Sequence, residues 1–114
     1  RLWWEENIER TQRFWNTMLQ KDGRAPRHLP PMIAEEIVAR HLYCPSMLCM
    51  MSIQDWMAMD YNFSNEDVFS LRINAPYDAF NKWKYRMKPT VDELINADQF
   101  NNKIKTMITR SFRA

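Results

Sequence analysis

The first apolar pattern of the chain covers residues 3 to 20. Its apolar positions recur every three or four residues, which is the spacing of one face of a helix. They are Trp4, Ile8, Thr11 through its methyl group, Trp15, Met18 and Leu19. Glutamates occupy the early turns, where the helix dipole favours acids. The pattern predicts one amphipathic helix that ends at Lys21-Asp22-Gly23.

Three prolines separate this helix from the next apolar pattern. Pro26 and Pro30 exclude a helix before residue 31, and Pro31 suits the first position of a new one. Residues 31 to 43 then repeat at helical spacing, so we predict a second helix over that range. Its apolar side carries Ile33, Ile37 and Leu42.

An uncharged apolar run follows at residues 46 to 53. It begins after Pro45 and is too short for a core helix, so it predicts one strand buried on both faces. Gln54 and Asp55 come directly after it. Ligands of parallel α/β proteins bind where strands end, which makes these two side chains candidate binding residues. An acid in this place also serves often as a helix cap or an ion-pair partner, and the sequence leaves that alternative open for Asp55.

A strand buried on both faces needs partner strands, and the chain offers no second convincing one. The chain also begins Arg1-Leu2-Trp3-Trp4, without an initiator Met. We therefore expect it to be part of a longer protein that supplies the missing strands.

The second half of the chain combines a long polar loop with two closing helices. Residues 54 to 59 suit a helical turn, and a polar loop follows from 61 to 71. Thr90-Val91-Asp92-Glu93 is a capping-box pattern that predicts a short helix ending near Asn96. Helical spacing from Asp98 to Phe112 predicts the last helix. The predicted fold class is mainly α with one or two short strands.

Composition and charge exclude several classes of partner. The 16 basic and 14 acidic residues are interleaved, which is typical of solvated helix faces rather than of a nucleic-acid site. A single glycine excludes a glycine-rich phosphate loop, and no run reaches the roughly 20 apolar residues of a membrane span. We expect a cytoplasmic protein with no nucleic-acid or membrane partner.

The two cysteines do not suggest a metal site. With only the distant His28 and His41 as further ligands, no zinc spacing is present. In an extended segment the α-carbons of Cys44 and Cys49 would lie roughly 15 Å apart, beyond disulfide reach. We expect both to be reduced packing residues, and we expect no metal or other cofactor.

Four short motifs at regular intervals resemble one enzyme family. They are Ser46-Met47-Leu48 with Gln54-Asp55-Trp56, Arg72-Ile73-Asn74-Ala75-Pro76, Trp83-Lys84-Tyr85-Arg86-Met87 and Thr90-Val91-Asp92-Glu93-Leu94. Together they resemble the C-terminal end of the 4-alpha-glucanotransferases, the amylomaltase or disproportionating-enzyme family. The chain departs from the family pattern at Ser52-Ile53, where Pro-Leu is usual, and at Ala75, where Val is common. Residues 77 to 82 match no sequence motif of the family.

The resemblance implies a retaining transglycosylase on an α-amylase-type (β/α)8 barrel, acting on α-glucan, maltodextrin or starch chains. Residues 1–114 would be one segment of that barrel: the helix after strand seven, strand eight, a rim loop and closing helices. The family's catalytic carboxylates would precede Arg1, so no catalytic residue is expected in this segment. The isolated chain should then be inactive, and it should self-associate through faces that the rest of the barrel would cover.

The resemblance also implies which residues meet the sugar. Gln54, Asp55, Asn74, Pro76 and Trp83 would line the cleft at the barrel rim. Amides can exchange hydrogen bonds with sugar hydroxyls, and an indole can stack on a pyranose ring. Arg72 and Arg86 would brace the loop through ion pairs, with Asp55 as one possible partner. The alternative is that all of these side chains only brace the rim.

A function of another class stays open beside this one. Nine methionines and five tryptophans in 114 residues also suit a non-catalytic helical module that docks on a partner protein. The presence or absence of catalytic carboxylate motifs in the same reading frame would distinguish the two hypotheses.

Overall fold

The computed structural model describes residues 1–113, which form six α-helices joined by turns and irregular segments. The helices are α1 (Leu2–Glu6), α2 (Ile8–Thr17), α3 (Pro31–Leu42), α4 (Ile53–Met57), α5 (Val91–Ile95) and α6 (Asp98–Arg110). Ala114, the last residue of the predicted 1–114 segment, lies outside the described residues. The helices predicted over 31–43 and after Thr90 are confirmed.

The predicted strand at residues 46 to 53 is wrong. Residues 1–113 are mainly α, as predicted, but contain no strand and no barrel, so the predicted fold class is wrong in its one or two short strands. Met47 is 99% exposed and Met50 is 85% exposed, which is the opposite of burial on both faces. Residues 47 to 51 make no backbone–backbone hydrogen bond with any described residue, and a strand cannot form without such partners.

A capping box starts the next helix one residue earlier than predicted. The Ser52 hydroxyl accepts from the backbone N–H of Asp55, and the Asp55 carboxylate accepts from the backbone N–H of Ser52. This exchange starts a helix, and Ile53 becomes the first residue of α4. The helical turn expected from residue 54 is therefore present.

The single helix predicted over residues 3 to 20 is divided in two. Asn7 has an extended backbone, with φ −142° and ψ 104°, and its side chain accepts from the backbone N–H of Arg10. Asn7 therefore caps α2 and interrupts the helical hydrogen bonds after α1. The apolar spacing continues across the break, so the pattern alone did not reveal it.

The hydrophobic core is arranged around α3. One cluster joins buried Ala34, Val38 and Leu42 of α3 to Ala58 and Met59, which follow α4. A second cluster joins Ile33 of the same helix to Trp4 and Leu19 from the N-terminal part of the chain. Because α3 contributes to both clusters, it holds α1, α2, α4 and α6 together. We refer to these five helices as the helical body.

The two cysteines have different surroundings. Both are free, but Cys44 is exposed whereas Cys49 packs against the cluster around Val38. The expected packing role therefore holds for Cys49 and is wrong for Cys44. Of the helices in residues 1–113, none combines the length and the apolar composition needed to cross a lipid bilayer.

Candidate functional site

The candidate site lies on an irregular stretch between α4 and α5. Residues 71 to 88, which we call the 71–88 segment, form turns and extended pieces without helix or strand. Most of its side chains are exposed, including those of Tyr77, Phe80 and Trp83. A segment without regular hydrogen bonding depends on side-chain contacts for its position. Several of those contacts come from residues outside it.

Gln54 and Arg72 hold the start of the segment. The Gln54 side-chain Nε2 donates to the carbonyl oxygen of Leu71 at 3.0 Å. The Arg72 guanidinium lies 3.4 Å from the Glu6 carboxylate and also donates to the Tyr77 hydroxyl. The start of the segment is thereby tied to α4 and α1.

Glu66 holds the end of the segment. Its side chain is buried, with 5% exposure, and one carboxylate oxygen accepts from the Tyr85 hydroxyl at 3.1 Å. The other oxygen accepts from the backbone N–H of Lys88, also at 3.1 Å. The Arg1 guanidinium donates to the carbonyl oxygen of Glu66 at 2.8 Å. Glu66 therefore connects the N-terminus of the chain to residues 85 and 88.

The Tyr85 phenol titrates abnormally in this environment. Burial raises its pKa above the usual value, and the hydrogen-bonded Glu66 carboxylate raises it further. The neighbouring Gln54 amide acts in the opposite direction. The net shift favours the neutral phenol, which is the form that can donate to Glu66.

Three of the predicted sugar-contacting residues lie on the 71–88 segment and are exposed. They are Asn74, Pro76 and Trp83. The Trp83 side chain is 66% exposed, and its backbone adopts a left-handed conformation with φ +52°. The Asn74 side chain makes no hydrogen bond with residues 1–113, so its amide is free to bind a ligand. Exposed amide and indole groups of this kind can contact sugar hydroxyls and ring faces.

The two candidates from the predicted strand end lie on α4 instead. Gln54 is half-buried, and its side-chain amide donates to the carbonyl oxygen of Leu71. One oxygen of the Asp55 carboxylate accepts from both the backbone N–H and the hydroxyl of Ser52, at 3.0 and 2.8 Å. The geometry thus matches the helix-cap alternative for Asp55, and both side chains already have structural hydrogen bonds.

The two arginines expected to brace the loop differ. Arg72 pairs with Glu6 rather than with Asp55. Arg86 is exposed and forms no ion pair within the described part of the chain. Of the two, Arg72 alone has a bracing contact there.

Glu66 and Tyr85 are site residues that the sequence did not single out. Glu66 lies in a polar stretch with several other acids, and nothing in its spacing distinguishes it from them. Tyr85 lies between Lys84 and Arg86, and nothing in this alternation of aromatic and basic residues indicates a partner for its hydroxyl. Their contact joins positions 19 residues apart across an irregular segment, so no local pattern encodes it.

A separate apolar cleft of about 450 Å³ opens beside α3. Its walls include Trp3, Trp4, Met50 and Asp55, but no residue of the 71–88 segment. Within residues 1–113, no group of three or more histidine, cysteine, aspartate or glutamate side chains could hold a metal ion.

Comparison with known sequences identifies the class of protein. The family model described as 4-alpha-glucanotransferase matches residues 1–92. This range covers the helical body up to α4, Glu66 and the whole 71–88 segment. The chain belongs to the 4-alpha-glucanotransferase family, as its motifs predicted.

Two curated relatives carry the same name. The 4-alpha-glucanotransferase DPE2 of Oryza sativa subsp. japonica is 31% identical over 114 residues, covering 100% of this chain and 12% of the rice protein. The 4-alpha-glucanotransferase of Chlamydia caviae is 26% identical over 114 residues, covering 96% of this chain and 20% of that protein. The chain thus spans a small part of the length of these relatives. No solved structure matches it significantly.

Proposed function

We propose that this chain forms part of the substrate-binding region of a 4-alpha-glucanotransferase, which transfers α-1,4-glucan units between maltodextrin or starch chains. The family match carries the proposal. It favours this function over the non-catalytic interaction module, because both curated relatives are named as transferases. The mechanism we propose is the retaining one, in which a carboxylate forms a covalent glycosyl intermediate and a second acts as acid and then base.

Asn74 and Trp83 are the side chains that we propose to contact the glucan. Both are exposed, and neither is required to hold the fold. Gln54 and Asp55, by contrast, have structural hydrogen bonds to Leu71 and Ser52. We therefore assign Gln54 and Asp55 supporting roles in the site, and Pro76 a role in fixing the backbone beside Asn74 through its restricted φ.

The catalytic carboxylates belong, in this proposal, to other parts of the protein. A retaining site needs two carboxyl groups roughly 5 Å apart on either side of the scissile bond. Asp55, which the sequence placed at a strand end, completes the capping box of α4 instead. The chain on its own should therefore produce no glucose or longer maltodextrins from maltotriose above a heat-killed control.

The test uses the complete protein encoded by the reading frame that carries this chain. Maltotriose is supplied, and the formation of glucose and longer maltodextrins is measured for the wild type, Asn74→Ala and Trp83→Ala. We expect each variant to weaken transfer by about 0.5 to 1.5 kcal/mol, the net value of one hydrogen bond or one aromatic contact. Melting temperatures should change little because both side chains are exposed.

Tyr43→Ala is the matched control. Tyr43 is also an exposed aromatic residue, at 60%, but it lies at the C-terminal end of α3 rather than on the 71–88 segment. Transfer rates for Asn74→Ala and Trp83→Ala equal to that of the control would contradict the assignment of the binding residues. Absence of any transfer by the wild-type complete protein would contradict the proposed activity itself.

Self-association and a cytoplasmic location stay predictions. Met47, Leu48 and Met50 are 71 to 99% exposed, and an apolar group of this kind favours association in water. Light scattering on the purified 114-residue chain tests the first. A monodisperse monomer would contradict it.

A further inference from the structure

The polar contacts of the 71–88 segment differ in their exposure to solvent, and one of them is buried. Glu6 with Arg72 is a surface ion pair, in which the Glu6 side chain is 53% exposed. Glu66 is 5% exposed and is the one carboxylate-bearing residue that is buried among residues 1–113. A carboxylate withdrawn from water is costly unless both oxygens find donors. Here each oxygen has one donor, and both donors, Tyr85 and Lys88, belong to the segment.

Glu66 is itself fixed from the opposite side. Arg1 donates to the carbonyl oxygens of Ser64 and Glu66, so the backbone at residue 66 is tied to the start of α1. Val68, two residues further on, is buried with 5% exposure. The Glu66 carboxylate therefore extends from an anchored backbone to a segment that has no regular structure of its own.

Trp83 lies two residues before Tyr85, which is the point where Glu66 holds the segment. Its left-handed backbone is uncommon for a bulky residue and persists only where the surroundings impose it. Loss of the Tyr85 and Lys88 contacts would allow residues 83 to 88 to relax. The orientation of the Trp83 indole thus depends on contacts that Glu66 supplies.

We propose that Glu66 is a positioning residue for glucan binding: through Tyr85 and Lys88 it fixes the orientation of the Trp83 indole. The inference rests on the proposed function, because Trp83 is the sugar-contacting residue assigned there. Glu66 itself has both oxygens engaged and is not required to touch the glucan.

Local order is measured first, by limited trypsin digestion of the complete folded protein. Lys82, Lys84 and Arg86 are exposed cleavage sites inside the segment, and mass spectrometry quantifies cleavage after each. Two lost hydrogen bonds should increase the open population, and so cleavage at these sites, roughly tenfold in Glu66→Ala. Glu66→Gln keeps one acceptor for Lys88 and an amide that can donate to the Tyr85 oxygen, so it should behave like the wild type.

Two further variants separate this effect from general destabilisation. Tyr85→Phe removes one of the two contacts and leaves the volume of the ring, so it should give an intermediate cleavage rate. Glu9→Ala removes an exposed glutamate on α2 and should leave cleavage unchanged. Should Glu66→Ala fail to fold, Tyr85→Phe still tests the proposal. Equal cleavage of Tyr85→Phe and the wild type would overturn it.

Maltotriose kinetics then test the link to the glucan. A misoriented Trp83 should raise KM several-fold in Glu66→Ala with kcat nearly unchanged, and Glu66→Gln should restore KM. A loss of folded enzyme would lower kcat and leave KM unchanged, which would overturn the positioning role. If Trp83→Ala raises KM and Glu66→Ala does not, the inference about Glu66 fails alone. If neither changes KM while cleavage still rises in Glu66→Ala, the assignment of Trp83 in the proposed function fails, and the positioning role fails with it.

Discussion

The helical body and the 71–88 segment are stabilised by different interactions, and their tryptophans illustrate the contrast. Trp4 is 2% exposed, contacts Phe14 and Trp15 edge to face, and donates its indole N–H to the carbonyl oxygen of Pro26. Trp83 is 66% exposed and belongs to a segment held by polar side chains. Substitutions in the helical body should therefore change global stability, whereas substitutions in the segment should change local order and binding.

The largest effect that the comparison predicts is the difference between Trp4→Ala and Trp83→Ala. Removal of a buried tryptophan costs about 3 to 5 kcal/mol of unfolding free energy, through lost transfer energy and the cavity left behind. The exposed residue should cost less than about 0.5 kcal/mol. Urea unfolding of the two variants and the wild type measures both values.

Similar losses in both variants would contradict the comparison, because they would mean that Trp83 is packed as firmly as Trp4. Trp4→Phe is a useful control, since it keeps an aromatic ring but removes the indole N–H that binds Pro26. Its cost should lie between the other two.

Helices α3 and α5 were predictable because their signals are local. The helix at α3 follows from Pro31 at its first position and from apolar residues at helical spacing. The start of α5 follows from Thr90 and Glu93, which exchange hydrogen bonds three residues apart. Signals within one turn of the chain need no knowledge of the rest of the fold.

The strand prediction failed because it assumed burial, which depends on parts of the fold distant from residues 46 to 53. An uncharged run such as residues 46 to 53 indicates burial only where other elements cover it, and here Met47 and Met50 are exposed. The local signal at its end, Ser52 with Asp55, is a capping box in which aspartate takes the place of the more usual glutamate. That signal favours a helix, and α4 begins there.

The candidate site was predictable in part. The motif around Asn74 and the motif around Trp83 both lie on the 71–88 segment, and the resemblance to the family supplied them. The contact between Glu66 and Tyr85 depends on the path of an irregular segment, which neither periodicity nor spacing specifies. The same holds for Arg1, whose guanidinium reaches a carbonyl oxygen 65 residues away.

A smaller effect is expected at α4, which links the two regions because it carries Gln54. Ser52→Ala removes the hydroxyl that caps this helix and should lower the unfolding free energy by about 1 kcal/mol. The loosened helix should also weaken the hydrogen bond from Gln54 to Leu71, so tryptic cleavage at Lys82 should rise slightly. Chemical unfolding and digestion of the same sample measure the two effects.

Ser64→Ala is the matched control for Ser52→Ala, because the Ser64 hydroxyl caps no helix in the described part of the chain. Equal unfolding free energies for the two variants would contradict a stabilising role for the capping box. A change in cleavage without a change in stability would mean that α4 matters only to the 71–88 segment.

The ion pair between Arg72 and Glu6 should contribute less. Its partners are 29% and 53% exposed, and pairs of this kind contribute about 0 to 1 kcal/mol. A double-mutant cycle with Arg72→Met and Glu6→Gln measures the coupling energy directly. A coupling energy well above this range would mean that the segment is bound to α1 more firmly than its exposure indicates.

The smallest effect concerns the titration of Tyr85 and is measurable only at alkaline pH. Burial and the Glu66 carboxylate raise its pKa, so the folded state binds the phenol proton more tightly than the unfolded state does. The stabilisation is therefore fully present below the unfolded value of about 10 and is lost as the pH rises through the folded pKa. The stability difference between the wild type and Tyr85→Phe should be constant below about pH 10 and shrink as the pH rises above it. A difference that stays constant above about pH 10 would mean that burial and Glu66 do not raise the pKa of the phenol in the folded protein.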